Sequence, residues 1–250
     1  MSRPPLSLVL SASLLIAIAL RAMASPPSAD GQAVSAQSEV FVLATLYQRH
    51  DSTPAYNHDT LRVLIERIAP DVVVLDVSPK ELREQTVHPS KREYPAVIFP
   101  LVRERGYRAY AGEPDEPEFT RIVQRLGAAL QQFRTAHAET AAADRAYQEA
   151  TFRALAQVWR TPADVNGALT DRLLGARRAY QDGAAGPEVA DAWRLWNEHA
   201  VSVVRQAQRE NPGRRILVLV GVENCAQLRA SLAPLPELRV VNMEQWLRGR

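Results

Sequence analysis

The residues able to do chemistry fall into a few short segments. Tyr47, Gln48, Arg49, His50 and Asp51 follow one apolar run, and Asp76 closes a second. Glu113 and Asp115 follow a third, and Glu223 and Asn224 a fourth. Glu93 and His58 stand in intervening loops or helix starts, and Asn197 and His199 sit on a late helical stretch. If these segments converge, they gather imidazoles, carboxylates and an arginine. That set could hold a divalent metal, with His50 and Asp76 as ligands, and activate water against an ester or amide. His50, Asp76 and Glu113 are the candidate catalytic groups. Tyr47, Arg49, Glu93, Asn197, Glu223 and Asn224 are the candidate ligand-binding groups.

Each residue also has a plainer reading. His50 on a polar loop reads as a solvated histidine, and His58 as an ordinary residue at a helix start. Glu223 can cap the helix that follows it. The indoles of Trp193 and Trp196 read as core. Asp76 is harder to dismiss, because it interrupts a buried apolar run. An unpaired buried carboxylate costs several kcal/mol, so a partner is expected, and Arg49 is the first candidate. Among sequence motifs there is no G-x-G-x-x-G, no P-loop, no G-x-S-x-G and no H-E-x-x-H. The pair His50 and His58 carries no metal-ligand spacing by itself.

The elements that would position these groups are an alternation of strands and helices. Residues 40–46 (VFVLATL), 71–77 (DVVVLDV) and 216–222 (ILVLVGV) are apolar on both faces, as strands of a covered parallel sheet are. Residues 107–111 form a weaker strand and 238–243 a final one. The run at 216–222 is the most strand-like and belongs at the sheet centre. Leu61, Leu64, Ile65 and Ile68 mark a helix capped by Asn57 and ended by Pro70. Tyr94, Val97, Ile98 and Leu101 mark another, which Pro100 should kink and Gly106 should stop. Residues 47–56 and 78–91 read as polar loops. Residues 119–208 lack strand signals and form a helical insertion before the late central strand. The fold class is α/β, a mostly parallel sheet flanked by helices. Ligands of such sheets bind beyond the carboxyl ends of the strands.

Residues 1–24 read as a signal peptide: Arg3, an apolar stretch at 6–20, and Ala22-Met23-Ala24 as cleavage site. The stretch is shorter than the roughly 20 residues a membrane span needs. A periplasmic or secreted protein is expected, with no span after cleavage. Residues 25–38 read as a disordered leader, and residues 39–250 as the domain. The chain has 30 Lys+Arg against 28 Asp+Glu, and cleavage removes Arg3 and Arg21. The mature chain is then formally neutral, which offers nucleic acid no basic surface. The single cysteine, Cys225, excludes an intrachain disulfide and reads as a packed thiol.

Several segments together resemble the TraB/ChaN-like group, which includes the erythromycin esterase-like proteins. Ala44-Thr45-Leu46-Tyr47 is similar to its Gly-Thr-x-His turn. Residues 70–76 (PDVVVLD) are similar to its PD-hydrophobic-E strand. Trp196-Asn197-Glu198 is similar to part of its R-N-x-x-M-A helix, and residues 218–228 to its VVGxxH-x-x-x-L segment. The resemblance runs over nearly the whole mature chain. It implies an α/β fold and His/Glu chemistry at the strand ends, often with a divalent metal, in hydrolases of peptides or esters; some relatives bind haem. Matched residue by residue, the first His falls on Tyr47, the Glu on Asp76 and the late His on Asn224. A second alignment sets His50-Asp51 and His58 against the H-D…H loop of the haem-binding branch. Three readings follow: an altered member that binds a small-molecule or peptide ligand, a metal-dependent hydrolase with a rebuilt site, and a haem- or metal-binding protein using Tyr47 or His50.

Overall fold

The computed structural model describes residues 37–249. The expected signal peptide and all of the leader except Gln37 and Ser38 lie outside the described residues. Five strands form one parallel sheet: β1 (Ser38–Thr45), β2 (Val72–Leu75), β3 (Arg108–Ala111), β4 (Ile216–Gly221) and β5 (Leu238–Val240). Their spatial order is β3-β2-β4-β1-β5, every pair parallel. The run expected at the centre is the centre: Ile216 pairs with Val40 on one side and Val72 on the other. All of β2 and β4, and all of β1 except Glu39, are buried, as unbroken apolar runs require.

Helix α1 (His58–Ile68) joins β1 to β2. Asn57 caps it, its Oδ1 accepting the Thr60 N–H at 2.9 Å, and Leu61, Leu64, Ile65 and Ile68 face the core. Ala69 ends it in the left-handed region at φ 48°, ahead of Pro70. The expected loop at 78–91 contains a further helix, α2 (Pro79–Glu84). Ser78 and Glu81 cap each other's backbone there, with proline in the first turn. Pro100 withholds an N–H from the helix ladder, and the turn before it is widened. A π turn (Tyr94–Ile98) precedes α3 (Phe99–Arg105), and the Phe99 N–H bonds back to the Tyr94 carbonyl.

The expected helical insertion is present as α4 (Glu118–Ala136), α5 (Ala138–Val158), α6 (Pro162–Val165), α7 (Ala168–Ala185) and α8 (Pro187–Glu210). After β4 come α9 (Cys225–Leu232), the short β5, which stops three residues before the expected end of the last strand, and α10 (Met243–Arg248). Among the described residues no helix is long and apolar enough to cross a membrane.

The insertion is tied to the sheet through buried polar bonds. Asn166, just after α6, accepts the Ala44 N–H at 2.9 Å and donates to the Pro162 carbonyl. Arg229 on α9 reaches both Asp171 oxygens, at 2.9 and 2.8 Å, and the Val42 carbonyl at 3.0 Å. Removing the Asn166 side chain leaves the Ala44 N–H buried without that partner. Asn166→Ala is therefore expected to cost about 1–3 kcal/mol, measured by urea unfolding. Asn166→Asp, which keeps the acceptor, should lose less, and an unchanged midpoint for the alanine variant would contradict this account.

Candidate functional site

The site begins where β1 ends. Tyr47 sits at φ 52°, a left-handed conformation unusual for a non-glycine residue. That turn sends its ring across the end of β4, against Gly221. A β-carbon on Gly221 would lie 2.2 Å from the Tyr47 hydroxyl, so only glycine fits. The hydroxyl donates to Asp76 Oδ2 at 2.7 Å. Asp76 directly follows β2 and its turn is held by Tyr94, whose hydroxyl accepts the Asp76 N–H at 2.8 Å. Asp76 thus has the expected partner, but it is a phenol and not Arg49. Burial, and then the charge of Asp76, hold the Tyr47 phenol well above its usual range, so it remains a donor.

Lys91 lies on the other side of Asp76. Its ammonium donates to the Asp76 carbonyl and to Glu113 Oε1, the latter at 2.6 Å, with both side chains nearly buried. Burial and the neighbouring Asp76 push the Glu113 carboxyl up, and Lys91 pulls it back. His199 bonds the backbone of Glu113 and helps fix that loop. Glu93 lies deeper and is wholly buried. Its carboxylate oxygens lack a hydrogen bond of ordinary geometry, although the Thr45 hydroxyl and the Glu93 backbone lie near enough to favour the charged form. Burial raises its pKa to about 7, with the Thr45 hydroxyl among the groups that hold it down.

Above these groups is a cleft of about 160 Å³. The strand ends supply Tyr47, Asp76, Glu113, Gly221 and Asn224. The insertion supplies the other wall: Arg178 from α7, and Trp193 and Trp196 from α8. Arg178 lies over the Trp193 ring at 4.1 Å and donates to Asn224 Oδ1 at 3.4 Å. An apolar recess continues past Trp196 and Ala200 to Val218 and Leu228. The two tryptophans, expected in the core, are half-buried cleft walls instead.

The structure sorts the expected site residues. Tyr47, Asp76, Glu113, Glu223 and Asn224 line the cleft, and Asn197 lines the apolar recess, bonded to Ser231 at 2.9 Å. Arg49 does not join them; its guanidinium stacks on Phe152 at 3.9 Å. Glu93 is sealed beneath. His50 does not pair with Asp76, nor is it solvated. The loop 47–56 folds into two 3-10 turns that bury the imidazole, with Nε2 accepting the Leu46 N–H at 2.9 Å and Nδ1 bonded to the Tyr56 carbonyl at 2.6 Å. Burial lowers its pKa to about 4. Both nitrogens are committed to backbone, which leaves none for a metal, haem or proton transfer. Cys225 is buried as expected, and burial pushes its thiol up to about 12.

The cofactors considered from the sequence fit poorly. Among the described residues no three His, Cys, Asp or Glu side chains converge to hold a metal ion. Lys91 already supplies the cation between the Asp76 turn and Glu113. For haem, the Tyr47 hydroxyl is bound to Asp76 and His50 is locked. Sequence reasoning missed Lys91, Tyr94 and Arg178. Lys91 closes a stretch read as loop and Tyr94 opens one read as helix, a weak signal. Compared with known proteins, the chain matches no family model, no curated protein and no solved structure.

Proposed function

We propose that this is an exported α/β domain of the TraB/ChaN-like kind whose strand-end cleft binds a small organic ligand and does not hydrolyse it. The observation that carries this reading is the closed pair of Tyr47 and Asp76. The carboxylate that resembles the family's acidic position is satisfied by a phenol that keeps its proton. The positions resembling the family's histidines are Tyr47 and Asn224, and His50 is committed to backbone. No imidazole lines the cleft, and two of its carboxylates are already engaged, Asp76 by Tyr47 and Glu113 by Lys91, which favours recognition over general-base catalysis. What remains is recognition chemistry. Two indoles offer flat apolar walls, Asp76 and Glu223 offer acceptors, and Asn224 and Arg178 offer donors.

The test is a calorimetric titration with a neutral planar probe, 2-naphthamide, alongside hydrolysis assays with 4-nitrophenyl acetate and a peptide mixture. Saturable one-to-one binding that is lost in Trp196→Ala is expected, with no hydrolysis above buffer in the presence or absence of zinc or manganese. Hydrolysis that a metal stimulates and Asp76→Asn abolishes would overturn the proposal. Absence of probe binding would do the same.

A further inference from the structure

Beside the strand-end cleft lies a second cavity, of about 270 Å³, between α4, α5 and α7. Arg178, Trp193 and Glu223 line both, so the two spaces share a wall. The second cavity differs in charge. Arg134, Arg145, Arg177 and Arg178 face it, against Asp144 and Glu223. Asp182 adds a third carboxylate close to Arg177 and Arg178, which still leaves positive charge in surplus. Leu130, Phe133 and Trp193 supply apolar wall.

Of the two central guanidiniums Arg177 is buried and Arg178 half-buried, and both are poorly paired. Arg177 is 6% exposed at its side chain. Its contacts are long: Gln181 at 3.2 Å, Asp144 at 3.5 Å and Glu223 at 3.9 Å. Arg178 reaches Asn224 at 3.4 Å. The Nε of each has no hydrogen-bond partner among the described residues. A guanidinium carries five donors and pairs best with a planar oxyanion, in short bidentate bonds. These two have no such bond. Burial also lowers the pKa of Arg178, which means its charge lacks full compensation. Buried, under-paired cations around an open cavity are what an anion would complete.

We propose that this cavity binds the anionic group of a small organic anion, a carboxylate or a phosphate monoester, whose flat apolar body lies against Trp193. The proposal rests on the ligand-binding reading of the neighbouring cleft and adds the ligand's chemical class. Arg177 and Arg178 hold the oxyanion from within, and Arg134 and Arg145 face it from the exposed side.

The experiment is calorimetric titration of the whole mature chain with three probes of one shape: neutral 2-naphthamide, 2-naphthoate and 2-naphthyl phosphate. Both anions are expected to bind about tenfold tighter than the amide at low salt, with the gap narrowing as salt is added. Arg178→Gln should bring anions and amide to within about threefold of each other. Arg145→Gln, at an exposed position where folding is not at stake, should weaken only the anions, by about two- to fivefold. The tighter of the two anions names the group the cavity prefers. Equal affinity for all three probes in the wild-type chain, or an anion preference untouched by both arginine variants, would overturn the proposal while leaving the cleft reading intact. Failure of every probe to bind would overturn both.

Discussion

Replacing Gly221 with alanine is expected to unseat Tyr47 and destabilise the whole domain. The new methyl would lie 2.2, 2.6 and 2.9 Å from the hydroxyl oxygen, Cζ and Cε2 of that ring. Gly221 closes the central strand, paired with Thr45 at the end of β1, so its backbone has little freedom to retreat. The ring must move, and the Tyr47–Asp76 bond goes with it. Overpacking and the loss of a bond to a largely buried carboxylate together amount to about 3 kcal/mol. That is a fall in melting temperature on the order of 6–12 °C for a domain of this size. The second substitution Tyr47→Ala should relieve the clash. The double variant should then lose less than the two single losses added together. A Gly221→Ala chain that melts with the wild type would show that the ring is not held against the strand.

The other large effect concerns pH. Glu93 has a folded pKa of about 7 against an ordinary value of 4.5. Between those two values the folded chain keeps a proton that the unfolded chain releases, so stability falls as pH rises through that window. The full fall is about 3 kcal/mol. His50 acts oppositely. Its folded pKa of about 4 lies below the ordinary 6.5. The unfolded chain takes up a proton that the folded one refuses, so stability rises between pH 4 and 6.5. The two slopes largely cancel from pH 4.5 to 6.5, and the carboxylate prevails above. Glu93→Gln, which mimics the protonated acid, removes one slope. Unfolding free energies from urea titration should coincide with wild type near pH 4.5 and exceed it by about 2–3 kcal/mol at pH 8. Parallel curves for the two proteins across pH 4–8 would rule out Glu93 as a titrating group.

The fold was readable wherever a run was apolar on both faces. Residues 40–46 and 216–222 could be nothing but covered strands, and the stronger of them stands at the centre. Asp76 was readable too, since a carboxylate that breaks such a run must answer to something. What it answers to was not readable, because Tyr47 reaches it only by entering left-handed space at the end of β1. His50 was misjudged for a related reason. A polar segment can fold on itself, and here two tight turns wrap the imidazole with the Leu46 N–H and the Tyr56 carbonyl. The α2 helix was missed although Ser78-Pro79-Lys80-Glu81 carries a capping-box pattern. Trp193 and Trp196 sit three apart on a long helix, a spacing that core and cleft wall share. Only the tertiary position of α8 decides between them.

The strand order has a bearing on how the chain is made. β1 and β2 are separated by β4, so the first two strands cannot pair as neighbours in the finished sheet. The gap between them is filled by residues 216–221, which follow the entire helical insertion. As the polypeptide emerges from the ribosome, its first half holds two sticky apolar strands with an empty lane between them. The sheet can close only after residues 216–221 have been synthesised. Long-range closure of this kind is slow.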